Sequence, residues 1–338
     1  MKLAKQARKS FIIPGYEKLQ HEIVQLQKTS TLLCSMPSIA NLIATRGALR
    51  DTIASWGYIE IITFGPIKDQ NRLERMFFWP DRKGIGQRQI RRLLAAKDDD
   101  AIASGRLSSK SVAVQGLSAL EVLLHGPNAK ELARVKGNTY RCRFALSIID
   151  NLRTIVREAL AAWADNGAFM KLWSSPGPDN PIYLKLPETT LELVKAFDQA
   201  LLMVRDRRIV PAIGLGPKRR VSRPVLWRSG LGIVLIDANL RGIRDLFATG
   251  GLADIYLDSQ KQADPSVASA IDSLNTEFEF LLDVTGDLAN LRYPFKQSAT
   301  RNRLIAIGFP LKSIRAQAVG RIKRAAGLAI GFNASDGD

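Results

Sequence analysis

With 338 residues and 46% hydrophobic side chains, the chain has the length of about two domains and enough apolar material to give each a core. Lys and Arg number 49 against 32 Asp and Glu, a net charge of +17. That excess attracts anionic surfaces, but it is scattered through 81–92, 217–224 and 321–324 without zinc-finger spacing, an RNA-recognition octamer or a basic zipper, so nucleic acid is not the expected partner. No run approaches the ~18 consecutive apolar residues of a membrane span. Two cysteines, Cys34 and Cys142, make no disulfide framework or metal knuckle and read as small buried hydrophobes.

The opening MKLAKQARKSFII is basic but lacks the apolar core of ~7–15 residues that an export signal needs. As written, the sequence predicts either a cytoplasmic protein or one whose signal was cut off or lies outside the chosen start. Tyr16, Leu19, Ile23, Leu26 and Leu33 then form a helical stripe, with Pro14 suited to a first turn. His21 falls off that stripe and is expected to face solvent. A second helix is predicted over Ser38–Phe64, its stripe running through Leu42, Leu49, Ile53, Trp56, Glu60 and Thr63, with Gly65-Pro66 as the stop. Glu60 therefore occupies a position where a core residue is expected.

A short helix carrying Arg72 and Glu74 and a loop carrying Trp79 and Asp81 come next. Further helices are predicted near 85–97, over 112–124 and over Thr139–Trp163, the first two separated by a polar linker at 98–109. The proline-rich SSPGPDNPIYLKLP, 174–187, cannot be regular structure and marks a boundary. Beyond it, helices are predicted near 188–208, 226–249, 265–285 and 297–326. No segment alternates as a strand would. The expected fold class is all-α: two antiparallel helical bundles, 11–173 and 188–338, joined by the 174–187 linker.

The apolar run VAVQGLSALEVLL, 112–124, carries the chemistry. On one helix Gln115, Ser118, Glu121 and His125 share an arc of about 120°. A helix apolar over the remaining arc is surrounded by protein, so this polar strip is either a thin solvent-facing line or a site between helices. Glu121 is the only formal charge from Ser111 to Asn128, and a buried carboxylate needs a cation, a metal or donors. Glu60 poses the same requirement. Together they could begin a site for iron or another divalent metal, or each could be a structural ion pair with Arg or Lys. His125 either shares a ligand with Glu121 or caps the helix before Gly126. Arg72, Glu74, Trp79, Asp81 and Ser118 are candidates to line the same pocket. Alternatively, Arg72–Glu74 is an ion pair, Trp79 a core anchor and Asp81 a helix cap. With two histidines in the chain there is no HExxH site, and no phosphate-binding glycine loop stands out.

Five segments carry a resemblance: FGPIKDQNRLERMFFWPDRKGIGQRQI (64–90), KSVAVQGLSALEVLLHG (110–126), WSSPGPDNPIY (173–183), LWRSGLGIVLIDANLRGIRDLF (226–247) and GFNASDGD (331–338). Together they resemble the imelysin-like family of bacterial cell-envelope proteins, across nearly the whole chain. The resemblance implies two helical bundles with a site between them, a place in the periplasm or at the outer membrane, often as a lipoprotein, and a link to iron or haem uptake. It also implies a metallopeptidase label resting on a GxHxxE motif. The matching positions are Gly116, Ser118 and Glu121, with serine where the motif has histidine. Zinc-water catalysis typically needs three protein ligands, so this departure points away from peptidase activity. The leading expectation is a non-catalytic binder of metal, haem or an iron-uptake component. A metallopeptidase and a cytoplasmic nucleic-acid-binding protein are the alternatives.

Overall fold

The protein is described by a computed structural model covering residues 2–135, 139–215, 221–258, 265–291 and 293–325. Part of the basic 217–224 segment and all of 331–338 lie outside the described residues. Among those described there is helix, turn and loop but no strand, as the all-α expectation has it.

The first half comprises α1 (Lys2–Ala7), α2 (Ile13–Ser35), α3 (Ile39–Ile59), α4 (Arg72–Met76), α5 (Ile85–Ala96), α6 (Asp99–Ile102), α7 (Gly116–His125), α8 (Tyr140–Trp163) and α9 (Ala168–Ser174). The second comprises α10 (Leu186–Leu202), α11 (Val210–Ile213), α12 (Gly232–Ala248), α13 (Leu252–Asp258), α14 (Pro265–Ala289), α15 (Ser298–Ala306), α16 (Gly308–Ile314) and α17 (Gly320–Ala325). The predicted stripe of α2 is buried throughout, from Tyr16 to Leu33, while His21 is exposed. Ser38 and Thr139 start their helices by accepting from the backbone N–H three residues on.

Three expectations need correction. The second helix ends at Ile59, short of Gly65-Pro66, so Glu60 is its C-terminal flanking residue. The 112–124 run is not one helix. A 3-10 turn over Val112–Val114 is followed by an extended Gln115, and α7 begins at Gly116. Gly116 has φ +76°, and a Cβ there would lie 2.4 Å from the carbonyl oxygens of Arg75 and Met76, so only glycine fits. Finally, Cys34 and Cys142 are not separate small hydrophobes. They form a disulfide between the end of α2 and the start of α8, with Cα atoms 5.7 Å apart.

The core is continuous across both halves. α12 packs on α3 as well as on α14, and buried side chains run without a break from Leu3 to Ile322. Two glycines let α3 and α12 approach closely. A Cβ on Gly57 would lie 2.9 Å from Leu235, and one on Gly242 would lie 2.1 Å from the Tyr58 carbonyl oxygen. The proline-rich segment is a tied loop rather than a loose tether. Asn180 donates to the carbonyls of Leu172 and Ser175 and accepts from the N–H groups of Ile182 and Tyr183. Tyr183 packs edge-on against Trp173 and Phe169, in an aromatic cluster that includes Phe64 and Trp163.

Candidate functional site

The polar strip faces protein. Gln115 is fully buried, and its Oε1 accepts from Arg75 Nε at 3.0 Å and from Asn151 Nδ2 at 3.0 Å. Its own Nε2 donates to the Lys110 carbonyl, and Arg75 also donates to Asn151 Oδ1 at 2.7 Å. This closed network joins α4 and α8 to the extended residue that precedes α7. Ser118 is half-buried and spends its hydroxyl on the Phe78 carbonyl at 3.0 Å.

Glu121 is 3% exposed and reaches across to the loop before α12. Its Oε1 accepts from the backbone N–H groups of Arg228 at 2.9 Å and Ser229 at 3.0 Å, and from the Ser229 hydroxyl at 2.9 Å. The Arg228 guanidinium lies 3.6 Å from Oε2. Burial pushes the Glu121 pKa up, and the Ser229 and Arg228 interactions oppose that shift. The carboxylate works as an inter-half clasp, a cap for a loop whose N–H groups would otherwise be orphaned.

Glu60 makes a second clasp with different partners. Its Oε1 pairs with Arg208 Nη1 at 2.7 Å and accepts from Asn239 Nδ2 at 2.7 Å. Asn239 also donates to the Gly57 carbonyl and accepts from Arg208. Arg208 comes from a π-helical turn, Met203–Ile209, which continues α10. Its guanidinium sits 5.9 Å from the centre of the Trp79 ring, and its side chain is 2% exposed.

The other candidates disperse. Arg72 pairs with Glu158 on α8 at 2.7 Å, not with Glu74, and donates to the Pro66 carbonyl. Glu74 is exposed. Asp81 caps α5, accepting from the N–H groups of Ile85 at 2.6 Å and Gly86 at 3.0 Å. Glu60 and Trp79 are thus brought together through Arg208, and Ser118 bonds the residue before Trp79. Glu121 has its own partners, while Arg72, Glu74 and Asp81 join neither clasp. Sequence reasoning missed Arg75, Asn151, Arg208, Arg228, Ser229 and Asn239. The one available signal was the polar WRS at 227–229, set immediately before an apolar helix.

The donor set does not fit a divalent ion. Glu60 and Glu121 share no partner, and each faces a guanidinium and N–H donors, where a metal ligand needs a carboxylate facing the ion. Among the described residues no group of three or more His, Cys, Asp or Glu is arranged to hold a metal. No helix among them is long and apolar enough to cross a membrane.

The imelysin family model, of peptidase class M75, matches residues 12–307. None of the curated proteins matches. Two solved structures superpose over nearly their full length. An imelysin-like protein from Psychrobacter arcticum 273-4 has a TM-score of 0.76 at 19% identity, covering 97% of this chain and 96% of that one. A "putative iron-regulated protein A precursor" from Parabacteroides distasonis ATCC 8503 has a TM-score of 0.70 at 12% identity, covering 96% and 94%.

Proposed function

Because the chain belongs to the imelysin family, we propose that it is a non-catalytic cell-envelope protein of iron acquisition. In this reading it binds haem, another iron-bearing ligand or an uptake component between its two halves. One observation carries it: the three positions of the family motif are spent internally. Gly116 gives way to the backbone of α4, Ser118 bonds the Phe78 carbonyl, and Glu121 clasps Arg228 and Ser229. Serine in the histidine position leaves too few ligands for a zinc-bound water, which supports binding over peptide hydrolysis. Iron is then handled as a complex or through a partner, not coordinated by Glu60 and Glu121.

The Cys34–Cys142 bond supports an envelope location, the periplasm or the outer-membrane surface, since disulfides persist in oxidising compartments. The name of the Parabacteroides distasonis relative supports the link to iron.

The test is elemental analysis of purified protein, with titrations of ferrous iron and of haem, beside Glu121→Ala. Saturable haem binding without stoichiometric bare iron is the expected result. Stoichiometric iron that disappears in Glu121→Ala would restore a coordinated-metal site. Chelator-sensitive cleavage of a peptide panel, lost in Glu121→Gln, would restore the peptidase.

A further inference from the structure

Where α7 ends, a pocket of ≈ 480 Å³ opens whose lining is cationic. Arg46 enters it from α3, Lys130 and Arg134 from the 3-10 turn after α7, and Arg228 from the loop before α12. The His125 imidazole, Asn128 and Tyr293, which precedes α15, add to the polar wall. Glu131 is the single carboxylate in the lining, and its field acts on Arg141. None of Gly116, Ser118 and Glu121 lines this pocket.

These charges are poorly matched within the protein. Arg46 uses Nε on the Leu124 carbonyl at 2.9 Å, and its two terminal nitrogens make no hydrogen bond among the described residues. Arg228 holds Glu121 only at 3.6 Å and lies over the Trp227 ring. Lys130 and Arg134 are exposed and form no ion pair among the described residues. His125 Nε2 is buried with no hydrogen-bond partner among them. A buried ring nitrogen without a partner, in the field of the Arg46 guanidinium at the wall of a cationic pocket, calls for an acceptor from outside.

We infer that this pocket binds a small molecule bearing a multivalent oxyanion, either phosphate or clustered carboxylates. Arg46 and Arg228 are its inner cations, Lys130 and Arg134 its rim, and His125 Nε2 a hydrogen-bond partner. Guanidinium forks match such oxyanions in two-pronged fashion, and the volume falls in the range of small-molecule sites. Burial and the Arg46 charge push the His125 pKa down to about 4, so the imidazole is neutral at pH 7. A bound anion reverses the sign of the local field and raises that value.

The chain has two histidines, His125 and the exposed His21, which makes the readout clean. The whole protein, 15N-labelled, is titrated with inorganic phosphate and separately with citrate, each against sodium chloride of matched ionic strength, following both imidazoles by NMR. A saturable shift of His125 alone is expected, with its titration midpoint rising by about one pH unit or more. Arg46→Gln and Arg134→Gln should each weaken binding about tenfold. Arg134 is exposed, so its variant keeps the test intact if Arg46→Gln does not fold. Which of phosphate and citrate saturates decides the oxyanion. If neither moves His125, or if both histidines drift together with salt, the inference is overturned.

Discussion

Replacing Gly242 with alanine tests whether the two halves are truly pressed together. In an isolated helix the change stabilises, by about 0.8–1.0 kcal/mol, because alanine is the better helix former. In this protein the new Cβ would lie 2.1 Å from the Tyr58 carbonyl oxygen and 3.0 Å from its carbon, both backbone atoms that cannot rotate away. α12 and α3 must separate by roughly 1 Å, a gap that forfeits between a quarter and a half of each van der Waals contact it opens. It also pulls Asn239 away from the Gly57 carbonyl and Glu60, which it now meets at 2.6 and 2.7 Å. Overpacking of this kind costs about 1–3 kcal/mol, and the stretched buried hydrogen bonds add to it. Packing therefore outweighs propensity, and the net change is a loss of about 1–2 kcal/mol or more. Gly47, also in α3 but with nothing within 4 Å of an added Cβ, is the control. Gly47→Ala should gain about 0.5–1 kcal/mol. Guanidinium unfolding of both variants measures the difference. If Gly242→Ala stabilises as Gly47→Ala does, the close α3–α12 contact does not exist.

Glu60→Ala strands the Arg208 guanidinium in the core and should cost about 3–5 kcal/mol in denaturant unfolding. Glu60→Gln, which keeps an acceptor for Asn239, should cost measurably less, and equal losses would argue against a charge pair. Reduction of Cys34–Cys142, which spans 108 residues, should lower stability by about 2–5 kcal/mol. Native protein should show no thiol reactive to maleimide until reduced, and labelling of unreduced protein would contradict the bond. His125 binds its proton less tightly folded, with a pKa of about 4, than unfolded, near 6.5. Below pH 6.5 the unfolded chain takes up the proton first, so stability falls as pH drops from about 6.5 to 4, by up to roughly 3 kcal/mol. His125→Gln should flatten that part of the profile, and an unchanged slope would show that His125 is not its source.

Local signals carried the helices. The α2 stripe, the helix starts at Ser38 and Thr139 and the core-facing place of Glu60 all follow from spacing and side-chain type. Partners could not be read in the same way. Glu121 is satisfied chiefly by backbone N–H groups 107 and 108 residues away, and every residue except proline carries that donor. Arg208 reaches Glu60 only because α10 passes into a π-helical turn that rotates it inward, and a periodicity of 3.6 assumes no such turn. Spacing alone puts Gln115 on one helical face with Glu121, yet the positive φ of Gly116 separates it from α7, and it bonds Arg75 and Asn151 instead. The cysteines face each other because the end of α2 meets the start of α8, a tertiary fact absent from their spacing. The family resemblance rested on whole segments and held where these single-residue readings did not.

The first helix has a consequence for how the chain folds. Trp173 donates to the carbonyl of Ala4, Arg8 donates to that of Trp163, and Gln6 donates to that of Thr249, at separations of 169, 155 and 243 residues. These turns therefore depend on partners far along the chain, some of them in the other half. Such distant pairings pay their loop-closure entropy before any contact repays it, which slows folding and lengthens the life of sticky intermediates. In this protein the N-terminal turns are tied to both halves, so their native contacts require the chain on either side of the 174–187 loop to be in place.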